Sequence, residues 1–261
     1  MTVITLLDAA HAAVSANPED AAARLRFYER LADGELFLLL EREAGEEVLD
    51  PKVFDLDSGP VVLVFDREER LAEFSGGIAP YAALPGRVLA AMLKGQGIGL
   101  GVNLGVAPSE MLLPPEALDW LAGALEGGPE EAEGRPQRFL APSVPQAVLE
   151  GLDAKLARAS GLAAAAVLCG VVYEGGRQGH VLAFLGAAEG AEAPLARAVR
   201  EALVFSGVEA GELDVAFLAG DDPAAAAMER AGLRFDLAPP EEEKAVPAGP
   251  GLDPAKPPRL R

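Results

Sequence analysis

The sequence predicts an α+β protein: two mixed-sheet domains joined by a Gly/Pro/Glu-rich linker and followed by a disordered C-terminal tail. Three observations lead there. Short apolar segments of strand type are joined both by tight turns and by segments of helical spacing, without a strict β-α repeat, which suits mixed sheets rather than a doubly wound parallel one. Residues 127–136, Gly-Gly-Pro-Glu-Glu-Ala-Glu-Gly-Arg-Pro, carry no apolar face and divide the chain. The 261 residues exceed a typical domain of roughly 100–150, and a composition 50% hydrophobic and 24% charged suits a sizeable core. The expected division is a first domain over 1–126, a linker over 127–136, a smaller second domain over 137–238 and a tail from 239 to 261.

In the first domain, an alanine-rich helix is expected over residues 6–15. Asn17 as cap, Pro18 in the first helical position and the acids Glu19 and Asp20 predict a second helix. Leu25, Phe27, Tyr28 and Leu31 supply its apolar face, and Asp33-Gly34 ends it. Residues 35–40 read as a strand apolar on both faces, hence central in a sheet. Two further strands, 53–56 and 61–65, flank the turn Asp57-Ser58-Gly59-Pro60. Asp66 is placed to cap a helix through Phe74, Gly76 and Gly77 break the chain, and another helix follows over about 84–94. Residues 97–104 alternate apolar side chains with Gly97, Gly99, Gly101 and Asn103, the period of a strand. A short strand at 110–113 and a helix begun by Pro114-Pro115-Glu116 complete the domain.

In the second domain, helical spacing runs over 144–159. Residues 162–173 and 180–186 are expected to form a hairpin around a glycine-rich turn. An amphipathic helix over 194–205 turns Leu195, Val199, Ala202 and Leu203 inward. A strand at 213–218, a helix from Asp222-Pro223 to Ala231 and a short strand at 233–235 follow. The tail is rich in Pro, Glu and Lys and short of apolar residues, the composition of disorder.

The net charge of −19 argues against nucleic acid and anionic membranes as partners and favours a basic protein partner. The start of the chain lacks the basic segment of a secretory signal, and no apolar run approaches the roughly 20 residues of a membrane helix, so the cytoplasm is the expected compartment. A single cysteine, Cys169, forms no intrachain disulfide and sits in an apolar run, where a buried thiol is expected.

No catalytic centre stands out. His11 and His180 are the only histidines, fall in different domains and have no metal-ligand spacing. The segment Gly95-Gln96-Gly97-Ile98-Gly99-Leu100-Gly101 is not a dinucleotide loop, because its glycines follow a helix, alternate inside a strand and miss the third position of that fingerprint. No Walker loop, calcium loop or Gly-x-Ser-x-Gly elbow occurs. No catalytic residue, metal site or cofactor is therefore expected. Glycine on one face of a strand lets another backbone or a ligand come close, so the expected binding face comprises Gly97, Gly99, Asn103, Tyr81 and Arg87.

Four stretches, in order, resemble a known family. They are residues 26–36 (RFYERLADGEL), 61–66 (VVLVFD), 83–86 (ALPG), and 97–103 (GIGLGVN) followed by Leu112-Leu113-Pro114. Together they are similar to the N-terminal domain of the SseB-like, enhanced-serine-sensitivity family, and residues 137–237 resemble that family's smaller C-terminal domain. The resemblance implies a bacterial cytosolic protein of two α+β domains. The family name records a growth phenotype and carries over no catalytic residue.

The function expected is a non-catalytic binding or interaction protein; the resemblance adds a link to serine or sulfur metabolism. Its partner is expected to be a protein, and the oligomeric state is open, a homo-oligomer included. Two rivals stand beside it. One is a small-molecule enzyme or ligand sensor with a site between the domains. The other is an accessory factor for type III-like secretion, suggested by acidity alone.

Overall fold

The computed structural model describes residues 4–43, 49–127, 134–207 and 213–237. The expected tail disorder and most of the expected linker fall outside these residues. The described chain is α+β, with two mixed sheets.

The first unit opens with α1 (Leu6–Ala16) and α2 (Ala21–Asp33), then β1 (Glu35–Leu39), β2 (Val53–Leu56) and β3 (Gly59–Phe65). The helix α3 (Glu68–Ser75), β4 (Tyr81–Pro85), α4 (Gly86–Leu93), β5 (Gly99–Val102), β6 (Met111–Leu113) and α5 (Pro115–Glu126) complete it. The strand order is β4-β1-β3-β5-β6, with β2 also on β3. Only β3 and β5 run parallel; the other pairs are antiparallel. The run Val61–Phe65 is buried on both faces, as expected for a central strand. Its even positions, Val62 and Val64, pack with Phe27, Leu31, Leu89 and Leu118 of α2, α4 and α5. Its odd positions, Val61, Leu63 and Phe65, pack with Leu71 of α3.

The second unit comprises β7 (Pro136–Leu140), α6 (Gln146–Leu156), β8 (Ala165–Tyr173) and β9 (Gln178–Leu185). It ends with α7 (Glu192–Ser206), β10 (Leu213–Leu218), α8 (Pro223–Ala231) and β11 (Leu233–Asp236). The order is β10-β9-β8-β11, with β7 also on β8. The β8–β9 hairpin is antiparallel, whereas β9 and β10 are parallel and bracket α7 in the chain. Leu168, Leu182 and Phe184 face Leu152 of α6 with Leu195 and Val199 of α7. Val167, Cys169 and Ala183 face the other way, toward Ala225 and Met228 of α8. Cys169 is a fully buried thiol, as its apolar surroundings suggest.

Several local expectations change. Asp20, not Asn17, caps α2: its Oδ1 accepts from Ala22 N at 2.9 Å and Ala23 N at 3.1 Å. Asn17 instead closes α1, which leaves Pro18 outside the second helix. Asp66 does not cap α3, because its carboxylate is drawn to Arg70 Nη1 at 2.7 Å and Thr5 Oγ1 at 2.6 Å. Residues 97–104 are not all strand: Gly97 (φ +67°) and Asn103 (φ +50°) turn the chain at either end of β5. β4 and β7 are strands that the periodicity does not announce, and β7 begins at Pro136, inside the expected linker.

Three of the four stretches that carry the resemblance meet at one joint. Gly86 N donates to Gly34 O at 2.9 Å, Glu35 pairs with Pro85, and Leu38 pairs with Val64. A Cβ at Gly86 would lie 1.8 Å from Leu31 O, so only glycine lets α4 start against the backbone of α2. Gly86→Ala is expected to lower the unfolding free energy by about 1–3 kcal/mol in urea titration, as overpacking does; an unchanged midpoint would contradict this packing.

Candidate functional site

Helix α2 carries Glu29 and Asp33 four residues apart, one turn of a helix, so both project from the same side. α6 contributes Lys155 and α7 contributes Glu201, and all four side chains are almost wholly removed from water. Lys155 Nζ donates to Asp33 Oδ2 at 2.8 Å and to Glu201 Oε2 at 2.9 Å, and it lies 3.6 Å from Glu29 Oε1. One ammonium thus gathers carboxylates from both units.

Arg87, near the start of α4, closes the cluster from outside. Its Nη1 donates to Glu201 Oε1 at 3.0 Å; its Nη2 donates to Asp33 Oδ1 at 2.6 Å and to Glu201 Oε2 at 3.1 Å. Arg158 Nη1 lies 3.1 Å from Asp33 Oδ2 and donates to the Asp33 carbonyl at 3.2 Å. Every oxygen of the Asp33 and Glu201 carboxylates therefore has a cationic partner. Burial pushes the Asp33 carboxyl up, but Lys155, Arg87 and Arg158 together outweigh it and hold the group below the ordinary range. Glu29 goes the other way. Burial pushes its carboxyl up, the longer approach of Lys155 does not compensate, and Oε1 has no hydrogen-bond partner.

Beside this cluster a cleft of about 290 Å³ opens between the units. Its charged lining is Arg87, Lys155, Arg158 and Arg197 against Asp33 and Glu201. Leu162, Pro194, Leu195 and Ala198 form an apolar wall. The lining contains no serine, cysteine, histidine or tyrosine. Among the described residues, no group of three or more His, Cys, Asp or Glu side chains is arranged to hold a metal. No helix of the described residues is long and apolar enough to cross a membrane.

The five residues of the expected binding face do not converge. Arg87 lines the cleft. Tyr81 lies against Phe37, with ring centroids 5.4 Å apart, on the sheet face away from α2 and α4. Gly99 borders the same face, but a Cβ there would meet Leu113 O at 2.8 Å and Val61 Cγ1 at 3.2 Å. Its lack of a side chain serves the approach of the protein's own strands. Asn103 is fully buried, with Oδ1 accepting from Asp66 N at 3.1 Å and Nδ2 donating to Ser109 Oγ at 2.9 Å. Gly97 occupies the turn before β5.

That buried polar group belongs to a second charged cluster. Arg70 forks onto Asp8 at 3.0 and 2.6 Å, and Ser109 Oγ donates to Asp8 Oδ1. Burial opposes the charge on Asp8, but Arg70, Ser109 and the Thr5 backbone hold the carboxyl well below its ordinary value. The network fastens α1 to the ends of β3 and β5 and is closed to solvent.

Residues 7–120, from α1 into α5, match the family model for the SseB protein N-terminal domain. The first unit is an SseB-type N-terminal domain. The matched stretch supplies Asp33 and Arg87 to the cleft and Glu29 to the buried cluster beside it; Lys155, Arg158, Arg197 and Glu201 lie beyond it. No curated protein and no solved structure matches the chain.

Sequence reasoning missed Lys155, Arg158, Arg197 and Glu201. One signal was available: Glu201 stands between Val199 and Ala202, inside the buried stripe of α7, where an acid needs a partner. Asp33→Asn, which removes a buried charge shared by three cations, is expected to cost about 3–5 kcal/mol in denaturant titration. Glu29→Gln is expected to cost nothing or to stabilise. Because the folded-state pKa of Glu29 is raised, its contribution is present at low pH and lost as pH rises above the ordinary 4.5. The advantage of the Glu29→Gln variant over the wild type should therefore widen from pH 4.5 toward neutrality; a gap that narrows over this range would contradict the assignment.

Proposed function

We propose that this chain, with its SseB-type N-terminal domain, is a non-catalytic binding protein whose site is the cleft between its two units. The observation that carries the reading is the state of the charges there. Asp33 and Glu201 are fully engaged by cations, whereas Arg197 has no ion pair or hydrogen bond among the described residues and Arg158 uses only Nη1. Donors that border a cleft with no protein acceptor are what a ligand site offers.

The chemistry of the lining supports binding over turnover. The Asp33 carboxylate, held ionised by three cations, makes a poor general acid, and the lining supplies no hydroxyl, thiol or imidazole nucleophile. The first sheet takes all its strands from before residue 127 and the second from residue 136 onward, which supports a domain division near that segment. In this reading the protein acts in the cytoplasm, and its acidic surface steers a basic protein partner. A role in serine or sulfur metabolism rests on the family resemblance, and no side chain of the cleft bears on it.

The test is a thermal-shift titration with a desalted cytosolic small-molecule extract at fixed ionic strength. The wild type should show a saturable rise in Tm. Ala198→Trp, which fills the cleft from α7, should lose the rise, and mass spectrometry should recover the bound compound unchanged. A chemically converted compound would favour the enzyme, and an equal rise in Ala198→Trp would move the site elsewhere.

A further inference from the structure

Resting on the cleft as the binding site, we infer that its ligand is a small organic carboxylate, held by the guanidinium groups of Arg158 and Arg197 with its apolar body against Leu162, Pro194 and Ala198. The chain carries a net charge of −19, yet the cleft is lined by four cations and two carboxylates. Cations in such a protein find acids easily, and Arg87 and Lys155 have done so. Arg197 has not, although it lies on an acid-rich molecule. The side chain of Arg158 is 45% exposed and leaves Nε and Nη2 without a partner among the described residues. The two arginines arise from different segments, the turn after α6 and the second turn of α7, and border one concavity.

Three features narrow the ligand. A planar guanidinium fork matches a carboxylate edge to edge, with two parallel hydrogen bonds. Deep in the cleft, Lys155 and Arg87 are already engaged by Asp33 and Glu201, so the inner wall offers no free donor to a second anionic group. A compact, highly charged oxyanion such as phosphate would find its further oxygens without donors there and gain nothing from Leu162, Pro194 and Ala198. A carboxylate with a short apolar body satisfies both surfaces, and a volume of about 290 Å³ accommodates one of modest size.

Arg197 is the cleaner of the two to test, because its removal breaks no ion pair or hydrogen bond among the described residues. Calorimetric titration of the full chain at fixed ionic strength would use butyrate and benzoate as carboxylate probes, inorganic phosphate, neutral butyramide and cationic butylamine. A carboxylate should bind saturably to the wild type. Arg197→Gln should weaken it about tenfold or more, the worth of a charge-assisted pair, without lowering the unliganded Tm. Arg197→Lys, which keeps the charge and loses the fork, should fall between. Arg158→Gln should weaken binding as well. Equal carboxylate affinity in Arg197→Gln, or tighter binding of phosphate than of either carboxylate, would overturn the assignment. Saturable binding of butyramide or butylamine alone, abolished by Ala198→Trp, would keep the cleft as the site and overturn only its anionic ligand. Binding of none of the five probes would count against both.

Discussion

A buried ammonium in contact with three carboxylates sets the relation between the two halves of this protein. Lys155 has 6% of its side chain exposed, and removing such a group from water costs several kcal/mol unless acceptors replace the solvent. The replacements come from both units: Glu29 and Asp33 from α2, Glu201 from α7. The pairing adds little net stability by itself, since desolvation offsets most of the attraction. Its contribution is directional. An apolar contact between α2, α6 and α7 could slide; a lysine that must reach Asp33 and Glu201 within hydrogen-bond distance cannot.

α7 links the two cores through one helix. Leu195 and Val199 pack on the second sheet, while Phe205, one turn beyond Glu201, packs with the first unit's core residues. Trp120 of α5 stacks edge-on to Phe205 and lies near Tyr28 of α2, which extends the apolar contact around the ionic one. Lys155 Nζ lies 5.8 Å from the Phe205 ring, so the two kinds of contact meet. The cleft is a consequence of this geometry. Toward the N-terminus of α7, Arg197 and Pro194 border the gap.

The architecture was legible in the sequence because burial patterns are local. Apolar runs around a glycine-rich turn gave the β8–β9 hairpin, alternation gave β10, the five-residue run Val61–Phe65 gave a central strand, and Asp222-Pro223 opened α8 as capping chemistry requires. Tyr81–Pro85 escaped because an edge strand pairs on one side only and needs no alternation; its register is set by β1. Pro136–Leu140 escaped because it is mostly exposed and composed like a loop. The cap of α2 was misplaced by three residues because Asn17 and Asp20 have similar capping preference, and only tertiary packing decides between them. The cleft was not legible, for a physical reason. Asp33 and Lys155 are separated by 122 positions, and no local period links them. Glycine spacing pointed instead to β5, where the space above Gly99 is filled by the protein's own Leu113 carbonyl. Arg87 was the one residue of the expected face to line the cleft, through its place at the start of α4.

The most direct test of the joint uses the chain's single tryptophan. Trp120 lies 5.3 Å from Tyr28 and 6.3 Å from Phe205, so its emission reports the contact of α5 with α7. Urea unfolding of Lys155→Met followed by Trp120 fluorescence and by far-ultraviolet circular dichroism compares that joint with the helices and sheets. The account expects the fluorescence transition of the variant to move to lower urea than its circular dichroism transition, the units parting before either melts. Two coincident transitions at the wild-type midpoint would show that the buried lysine does not hold the halves together.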